Sequence, residues 1–276
     1  MTISIPEVSA KTLPELLSLA GRRAVVTGGG QGLGKAIALR LAEAGASVLI
    51  ADINGELADS TAKDIRDAHG GAALGALMDV TNPASVDAAA TLAVDTLGGI
   101  DIWVNNAGIF PAVPVLEMSE ETWDQVFAVN SRGVFLGSKA AARQMAAAQT
   151  GGVIVNVVST AGFRGTAPGL AAYVGSKHAA RGMTKQMALE FAPLGIRVLG
   201  VAPTFVPTEG NMAAAAAASS LRGDEEAAPV MPVMQQSLLG RFGVPDDIAR
   251  VVLFCASDLS VFMTGSTLLA DAGQTI

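Results

Sequence analysis

From Gly21 onward two hydrophobic patterns alternate along the chain. Short runs rich in β-branched residues, apolar at nearly every position, fall at Ala24–Thr27, Ser47–Ala51, Ala73–Met78, Ile100–Asn105, Val153–Val158, Arg197–Val201 and Thr267–Leu269. Between them the apolar residues recur at helical spacing, as Leu33, Ile37 and Leu41 do within Gly32–Ala44. The remaining helical stretches are Gly55–Ala68, Ala84–Leu97, Ser119–Ala147, Tyr173–Ala192 and Asp246–Ala256. A strand apolar throughout has both faces buried, so such strands separated by helices imply a parallel sheet with helices on both faces. The pattern predicts an α/β, doubly wound fold of seven parallel strands. It fills residues 21–276 without a linker, as a single domain after an N-terminal extension, 1–20.

One segment breaks the rhythm. Thr204–Gly240 contains the alanine-rich run Ala213–Ser220, the acidic cluster Asp224–Glu226, and Pro229 and Pro232. A strandless insertion of this length reads as a lid over a site.

Composition narrows the function classes. Eighteen Lys+Arg against twenty-five Asp+Glu leave a net charge of −7, which repels a phosphate backbone and argues against nucleic-acid binding. One cysteine, Cys255, excludes an intramolecular disulfide framework and suits a reducing compartment. Two histidines, His69 and His178, cannot form a three-histidine zinc site, and no metal is expected. No apolar run approaches the roughly 18 residues a membrane span needs. The start shows Pro6, Glu7, Pro14 and Glu15 where a signal peptide would have a basic end and an apolar core. A cytoplasmic chain with no membrane partner is expected.

The first strand runs into TGGGQGLG, Thr27–Gly34, and then into a helix. Glycines there let the backbone turn sharply and approach a pyrophosphate, whose charge the helix N-terminus meets. Gly28, Gln31, Gly32, Leu33 and Gly34 are the candidate contacts. Gly29 with Gly34–Lys35 also fits part of a nucleoside-triphosphate loop, but Ala36 stands where that loop needs a magnesium-binding hydroxyl. Asp52 ends the second strand, eighteen residues beyond Gly34. A carboxylate there can accept hydrogen bonds from the adenosine ribose hydroxyls and would repel a 2′-phosphate. Gly30, Gln31 and Ile53 offer no cation, so NAD is favoured over NADP; the competing reading of Asp52 is an ordinary helix cap.

Further motifs follow in order: Asp79–Val80 after the third strand, NNAG at Asn105–Gly108, Asn130, Ser159, and YVGSK at Tyr173–Lys177. With these the chain resembles the short-chain dehydrogenase/reductase family, over about residues 21–276. Tyr173 and Lys177 lie four apart on a predicted helix and share one side. A free phenol has a pKa near ~10; a neighbouring ammonium and the positive nicotinamide both favour the phenolate. Tyr173, the sole tyrosine, could then exchange a proton with an alcohol while hydride is transferred. Ser159 can hold the substrate oxygen, and Lys177 the nicotinamide ribose. His178, one residue on, turns about 100° away and reads as structural or surface.

The resemblance implies a Rossmann-type sheet and adds roles. Asn130 is expected to hold a water linking Lys177 to solvent, and Asp79 and Val80 to meet the adenine. Asn106, Ala107 and Gly108 are expected to border the adenosine side. PTFVPT, Pro203–Thr208, takes the place of the family's PGxVxT, so Val206 backbone and the Thr208 hydroxyl are expected to hold the carboxamide. Thr204 and Ala202 replace the usual glycine and asparagine, and a side chain at 204 could narrow the pocket or shift the loop. Ser159 lies fourteen positions before Tyr173 and Thr160 thirteen, the commoner spacing; NVVSTAG aligns Ser159 with the family's serine.

Phe110, Pro111, Phe163, Pro168 and Phe205 are expected to make an apolar pocket wall for a lipophilic secondary alcohol or ketone. The reading is therefore an NAD-dependent alcohol dehydrogenase or ketoreductase with a Tyr–Lys–Ser–Asn set. The alternatives are a 3-oxoacyl-(acyl-carrier-protein) reductase and, from another class, a non-catalytic cofactor-binding regulator. Small apolar residues along the two longest predicted helices, with the resemblance, suggest a homotetramer.

Overall fold

The computed structural model describes residues 5–212 and 237–276. The seven apolar runs become β1 (Arg23–Thr27), β2 (Ser47–Asp52), β3 (Ala73–Leu77), β4 (Ile102–Asn105), β5 (Gly152–Val157), β6 (Ile196–Pro203) and β7 (Thr267–Ala270). They form one parallel sheet in the order β3-β2-β1-β4-β5-β6-β7. This is the Rossmann-type α/β fold expected.

Strand alternation divides the core. Val26, Ile50, Val104 and Val155 face one side, where they pack with Ile37, Ile65 and Ile248. Their immediate neighbours Val25, Leu49, Trp103 and Ile154 face the other, against Val86, Met145 and Met187. Each of the inner strands β1, β2, β4, β5 and β6 thus feeds two cores, which is why its sequence is apolar without alternation, whereas the edge strands β3 and β7 are partly exposed. Helices α2 (Gly32–Glu43), α3 (Gly55–His69) and α8 (Pro245–Ala256) cover the first side. Helices α4 (Pro83–Leu97), α6 (Gly133–Ala148) and α7 (Ala171–Phe191) cover the second.

The predicted helix Ser119–Ala147 is in fact interrupted. Helix α5 (Glu120–Phe127) gives way to a π turn at Ala128–Arg132 before α6 begins. Apolar spacing on either side is helical, so the sequence pattern alone reads straight through. The wide turn takes the surplus residue and buries Asn130 completely. β4 also starts two residues later than expected. The Asp101 carboxylate just before it accepts from the Arg23 backbone N–H, Nε and Nη2 at 2.8, 2.6 and 2.7 Å.

Part of the N-terminal extension is anchored. Helix α1 (Leu13–Leu17) is capped by Thr12, whose backbone N–H and hydroxyl both donate to Glu15 at 2.7 Å. Lys11 and Arg22 pair with Asp258 at 2.5 and 3.1 Å, and Leu19 is buried. Of the expected lid, 204–212 and 237–240 are described; Ala213–Ser220 and Asp224–Glu226 lie outside the described residues.

The strand order reverses direction at the β1/β4 boundary. At such a switch point the loops leaving the strands' C-terminal ends diverge to opposite sides and open a crevice. The loops concerned are the glycine loop after β1 and Asn105–Gly108 after β4.

Candidate active site

The two crevice loops are bolted together. The Thr27 hydroxyl accepts from the backbone N–H of Asn106 and Ala107 at 3.0 and 3.1 Å. The Asn106 side-chain amide donates to the carbonyls of Thr27 and Gly28, both at 3.0 Å. Side chains are excluded from the loop itself: a Cβ on Gly34 would lie 1.9 Å from the Gly28 oxygen, and one on Gly28 2.8 Å from Ala107 Cα. Gly28 and Gly32 adopt φ of +60° and +55°, conformations that glycine takes without strain. Gln31 stands at the N-cap of α2, and Leu33 packs half-buried on the core.

Asp52 reaches back to this loop. One carboxylate oxygen accepts from Gly30 N–H and the other from Asn54 N–H, each at 2.9 Å. Asn54, not Asp52, caps α3 by accepting from Leu57 N–H, so the helix-cap reading of Asp52 does not hold. Lys35 pairs with Asp64 of α3 at 2.7 Å, a solvent-facing ion pair. Asp79 accepts from the backbone N–H and hydroxyl of Thr81, both at 2.8 Å, and Val80 packs against Gly133 of α6.

The catalytic candidates gather at the C-terminal ends of β4, β5 and β6. Tyr173 and Lys177 lie one turn apart on α7, with the ammonium 5.7 Å from the centre of the Tyr173 ring. Lys177 is 4% exposed and donates to the Val157 carbonyl at 2.9 Å. The Ser159 hydroxyl is hydrogen-bonded with Tyr173 and also accepts from Ala161 N–H at 3.1 Å. Ser159 rather than Thr160 therefore meets the phenol, despite the longer spacing. Phe110 meets the Tyr173 ring edge-on, centroids 5.8 Å apart.

Burial sets the titration of this pair. It pushes the Tyr173 phenol above its usual value, against a smaller downward pull from the Ser159 hydrogen bond. It lowers Lys177 to about 8. The Ser159 hydrogen bond thus pulls the phenol towards its ionised form.

Asn130 ties a loop to a helix. Its side-chain oxygen accepts from Ile109 N–H at 2.9 Å, and its nitrogen donates to Ile109 O at 2.8 Å and Ser176 Oγ at 3.1 Å. The side chain clasps the NNAG loop to α7, with both amide protons engaged and one lone pair of its oxygen left over. A Cβ on Gly108 would meet Asn130 at 3.3 Å and the Lys177 ammonium at 3.7 Å. Gly108 thus lies where the cofactor loops join the catalytic group.

Below the site runs a buried polar network that the motifs do not announce. Trp103 Nε1 donates to Asn105 Oδ1 at 2.8 Å, and Asn105 Nδ2 donates to Asn156 Oδ1 at 2.8 Å and Ser138 Oγ at 2.9 Å. Asn156 donates in turn to Thr184 on α7 at 2.9 Å. The one available signal was a polar Asn156 inside the apolar run VIVNVV.

Other expectations changed. Phe163 does not join Phe110 beside Tyr173. It stacks under the Arg181 guanidinium at 3.8 Å and lines a surface groove with Lys185, Leu189 and residues 264–267. Thr204 turns its hydroxyl to Gln274 near the C-terminus, which engages that side chain outside the predicted pocket wall. His178 is exposed, its ring nitrogen bonded to Val174 O at 2.9 Å. Cys255 is fully buried, which pushes its thiol up to about 12. Among the described residues no helix is long and apolar enough to cross a membrane.

A profile of the short chain dehydrogenases matches residues 22–219. The chain belongs to the short-chain dehydrogenase/reductase family. It is 41% identical over 261 residues to a 4-formylbenzenesulfonate dehydrogenase of Comamonas testosteroni, covering 94% of this chain and all of the relative. A cyclopentanol dehydrogenase of a Comamonas species is 39% identical, covering 91% and 96%. A 3-oxoacyl-(acyl-carrier-protein) reductase of Aquifex aeolicus is 37% identical, covering 94% and 99%. Among solved structures, a short-chain dehydrogenase/reductase of Mycobacterium marinum superposes with a TM-score of 0.86 at 35% identity, covering 96% and 99%. A putative 2-deoxy-D-gluconate 3-dehydrogenase of Agrobacterium tumefaciens with bound NADP gives 0.81 at 34%, covering 94% and 98%. As a member of this family the protein is an oxidoreductase of alcohols and ketones that uses a nicotinamide cofactor. The residues present fit such a cofactor: a glycine cradle that any Cβ at Gly28 or Gly34 would fill, with a buried carboxylate at one end and a phenol–ammonium pair at the other.

Proposed function

We propose that this short-chain dehydrogenase/reductase interconverts a lipophilic secondary alcohol and its ketone with NAD. One observation carries the reading: Tyr173, hydrogen-bonded to Ser159 and one helical turn from buried Lys177, stands at the opposite end of the crevice from Asp52. When bound, the nicotinamide accepts or donates the hydride. Tyr173 takes the alcohol proton in oxidation and returns it in reduction. Ser159 holds the substrate oxygen, and Lys177 holds the nicotinamide ribose.

At the other end Asp52 would take the adenosine ribose. Each of its oxygens accepts one backbone N–H, and a carboxylate can accept about four bonds, so room for the hydroxyls remains. A 2′-phosphate there would face that negative charge. Gly28, Gln31, Gly32, Leu33 and Gly34 would border the pyrophosphate. Asp79 and Val80 would meet the adenine, Asn106–Gly108 would border the adenosine side, and Val206 and Thr208 would hold the carboxamide.

Phe110 beside Tyr173 favours an apolar substrate, in keeping with a relative named for cyclopentanol. The relative from Aquifex makes an acyl-carrier-protein reductase the second reading. Against it, Ala146–Thr150 and Ala192–Gly195, where the family's docking cations tend to lie, contain none. The set of Asn130, Ser159, Tyr173 and Lys177 argues against a silent regulator. We read residues 21–276 as one domain and the assembly as a homotetramer. Trp123 on α5 and Phe135 on α6, both partly exposed, offer an apolar face for a second copy.

A spectrophotometric screen of secondary alcohols with NAD⁺ and NADP⁺ tests the reading. The expected preference for NAD⁺ is at least about tenfold in kcat/KM, or roughly 1.4 kcal/mol. Equal or better use of NADP⁺ would overturn it.

A further inference from the structure

After β6 a helical turn opens at Glu209, and Thr208 and Asn211 face each other across its start as a capping pair. Asn211 engages both Val206 and Thr208. The Thr208 backbone N–H donates to Asn211 Oδ1 at 2.8 Å, and Asn211 Nδ2 donates to the Val206 carbonyl at 2.7 Å. In return the Asn211 backbone N–H donates to the Thr208 hydroxyl oxygen at 3.3 Å. The orientation of the amide is self-consistent, since a flipped group would set N–H against N–H at Thr208 and oxygen against oxygen at Val206.

These three bonds leave a specific remainder. The Thr208 oxygen accepts from Asn211, and among the described residues its own proton meets no acceptor. A carbonyl has two lone pairs, and among the described residues Asn211 takes only one of those on Val206. One free donor beside one free acceptor is the complement of a primary carboxamide, whose carbonyl needs a donor and whose amino group needs an acceptor. Any residue at 211 keeps the backbone N–H that meets the Thr208 hydroxyl, so the Asn211 side chain acts by holding the Thr208 N–H and the Val206 carbonyl in place.

The same turn lies against the glycine loop. A Cβ on Gly32 would come within 3.3 Å of Thr208 Cβ, and one on Gly210 within 3.1 Å of the Gln31 amide. Thr208 and Gly210 therefore stand beside the glycine loop that borders the crevice.

We infer that Asn211 is the positioning residue of the nicotinamide end, fixing Thr208 and Val206 as a donor–acceptor pair for the carboxamide. The inference rests on the reading of Val206 and Thr208 given above. It is tested by comparing binding of NADH with binding of ADP-ribose, which has every part of the cofactor except the nicotinamide. Asn211→Ala should weaken NADH about tenfold, the worth of a well-placed hydrogen bond, and change ADP-ribose by less than about twofold. Asn211→Asp keeps the acceptor for Thr208 N–H and loses the donor to Val206, so it should fall between. Unchanged NADH affinity in Asn211→Ala, or an equal loss of both ligands, would overturn the inference. Thr208→Val separates the two levels. If it weakens NADH while Asn211→Ala does not, the carboxamide clamp stands and Asn211 has no part in it. If neither variant weakens NADH, the clamp itself is misplaced.

Discussion

The loop after β1 and the ends of β4 and β5 lie side by side in one sheet, yet different forces hold them. Around the glycine loop, a side chain at the glycines is excluded, Gly34 standing so close to Gly28 that a methyl would fall 1.9 Å from a carbonyl oxygen, and Thr27, Asp52 and Asn106 hold the loop from its borders. Under the catalytic group, buried side chains do the holding, through Trp103, Asn105, Asn156 and Thr184 in sequence. The first arrangement leaves room for a ligand's phosphates to approach the main chain. The second fixes a phenol and an ammonium whose positions matter to fractions of an ångström. Asn106 and Asn130 join the halves, one clasping the glycine loop and the other clasping α7.

Substitutions should separate the two halves, and the largest effect belongs to the glycine side. Gly34→Ala has no flexible neighbour to displace, so we expect a loss above about 3 kcal/mol in urea unfolding together with loss of NADH binding. A stable Gly34→Ala protein that binds NADH normally would break the contrast. On the other side, Asn156→Leu removes one hydrogen-bond partner each from Asn105 and Thr184. That should cost about 2–3 kcal/mol in urea unfolding while NADH affinity stays near wild type.

Lys177 is expected to act in the opposite sense. Its shift from 10.5 to about 8 corresponds to a burial penalty of about 3 kcal/mol for the ammonium. Because the folded value lies below the unfolded one, the penalty is complete below pH 8 and fades as pH rises towards 10.5. Lys177→Met also loses the bond to Val157 O, so at pH 7 it should stabilise the fold by about 2 kcal/mol while turnover falls. Melting curves at pH 7 and above pH 10 should show that gain shrinking. Ser159→Ala should move stability least. Removing the bond that lowers the Tyr173 phenol should shift the alkaline rise of alcohol oxidation to higher pH, and an unmoved midpoint would mean that this bond does not tune the phenol.

The contrast also explains what was legible in the sequence. Seven strands and their parallel arrangement follow from apolar runs, because the inner strands serve both cores. Gly28–Gly34 and Tyr173–Lys177 are visible because glycine and a lone tyrosine are conspicuous at those spacings. The π turn at Asn130 was not visible, since one surplus residue leaves helical periodicity intact on both sides. Phe163 was misplaced because an apolar residue near a site looks the same whether it faces substrate or, as here, Arg181. Asn105, Asn156 and Asn211 act through partners 28 to 51 residues away, or through a local turn beside the crevice. Neither arrangement leaves a periodic trace.

The central claim, that Tyr173 exchanges the proton with substrate, is tested most directly by Tyr173→Phe. Phenylalanine keeps the ring against Phe110 and deletes only the hydroxyl. With a secondary alcohol that shows a hydride isotope effect on kcat, the account predicts unchanged NADH binding and a fall in kcat towards the upper end of about 10²–10⁴-fold. A variant that retains more than about a tenth of wild-type kcat, with the isotope effect intact, would place the acid–base elsewhere.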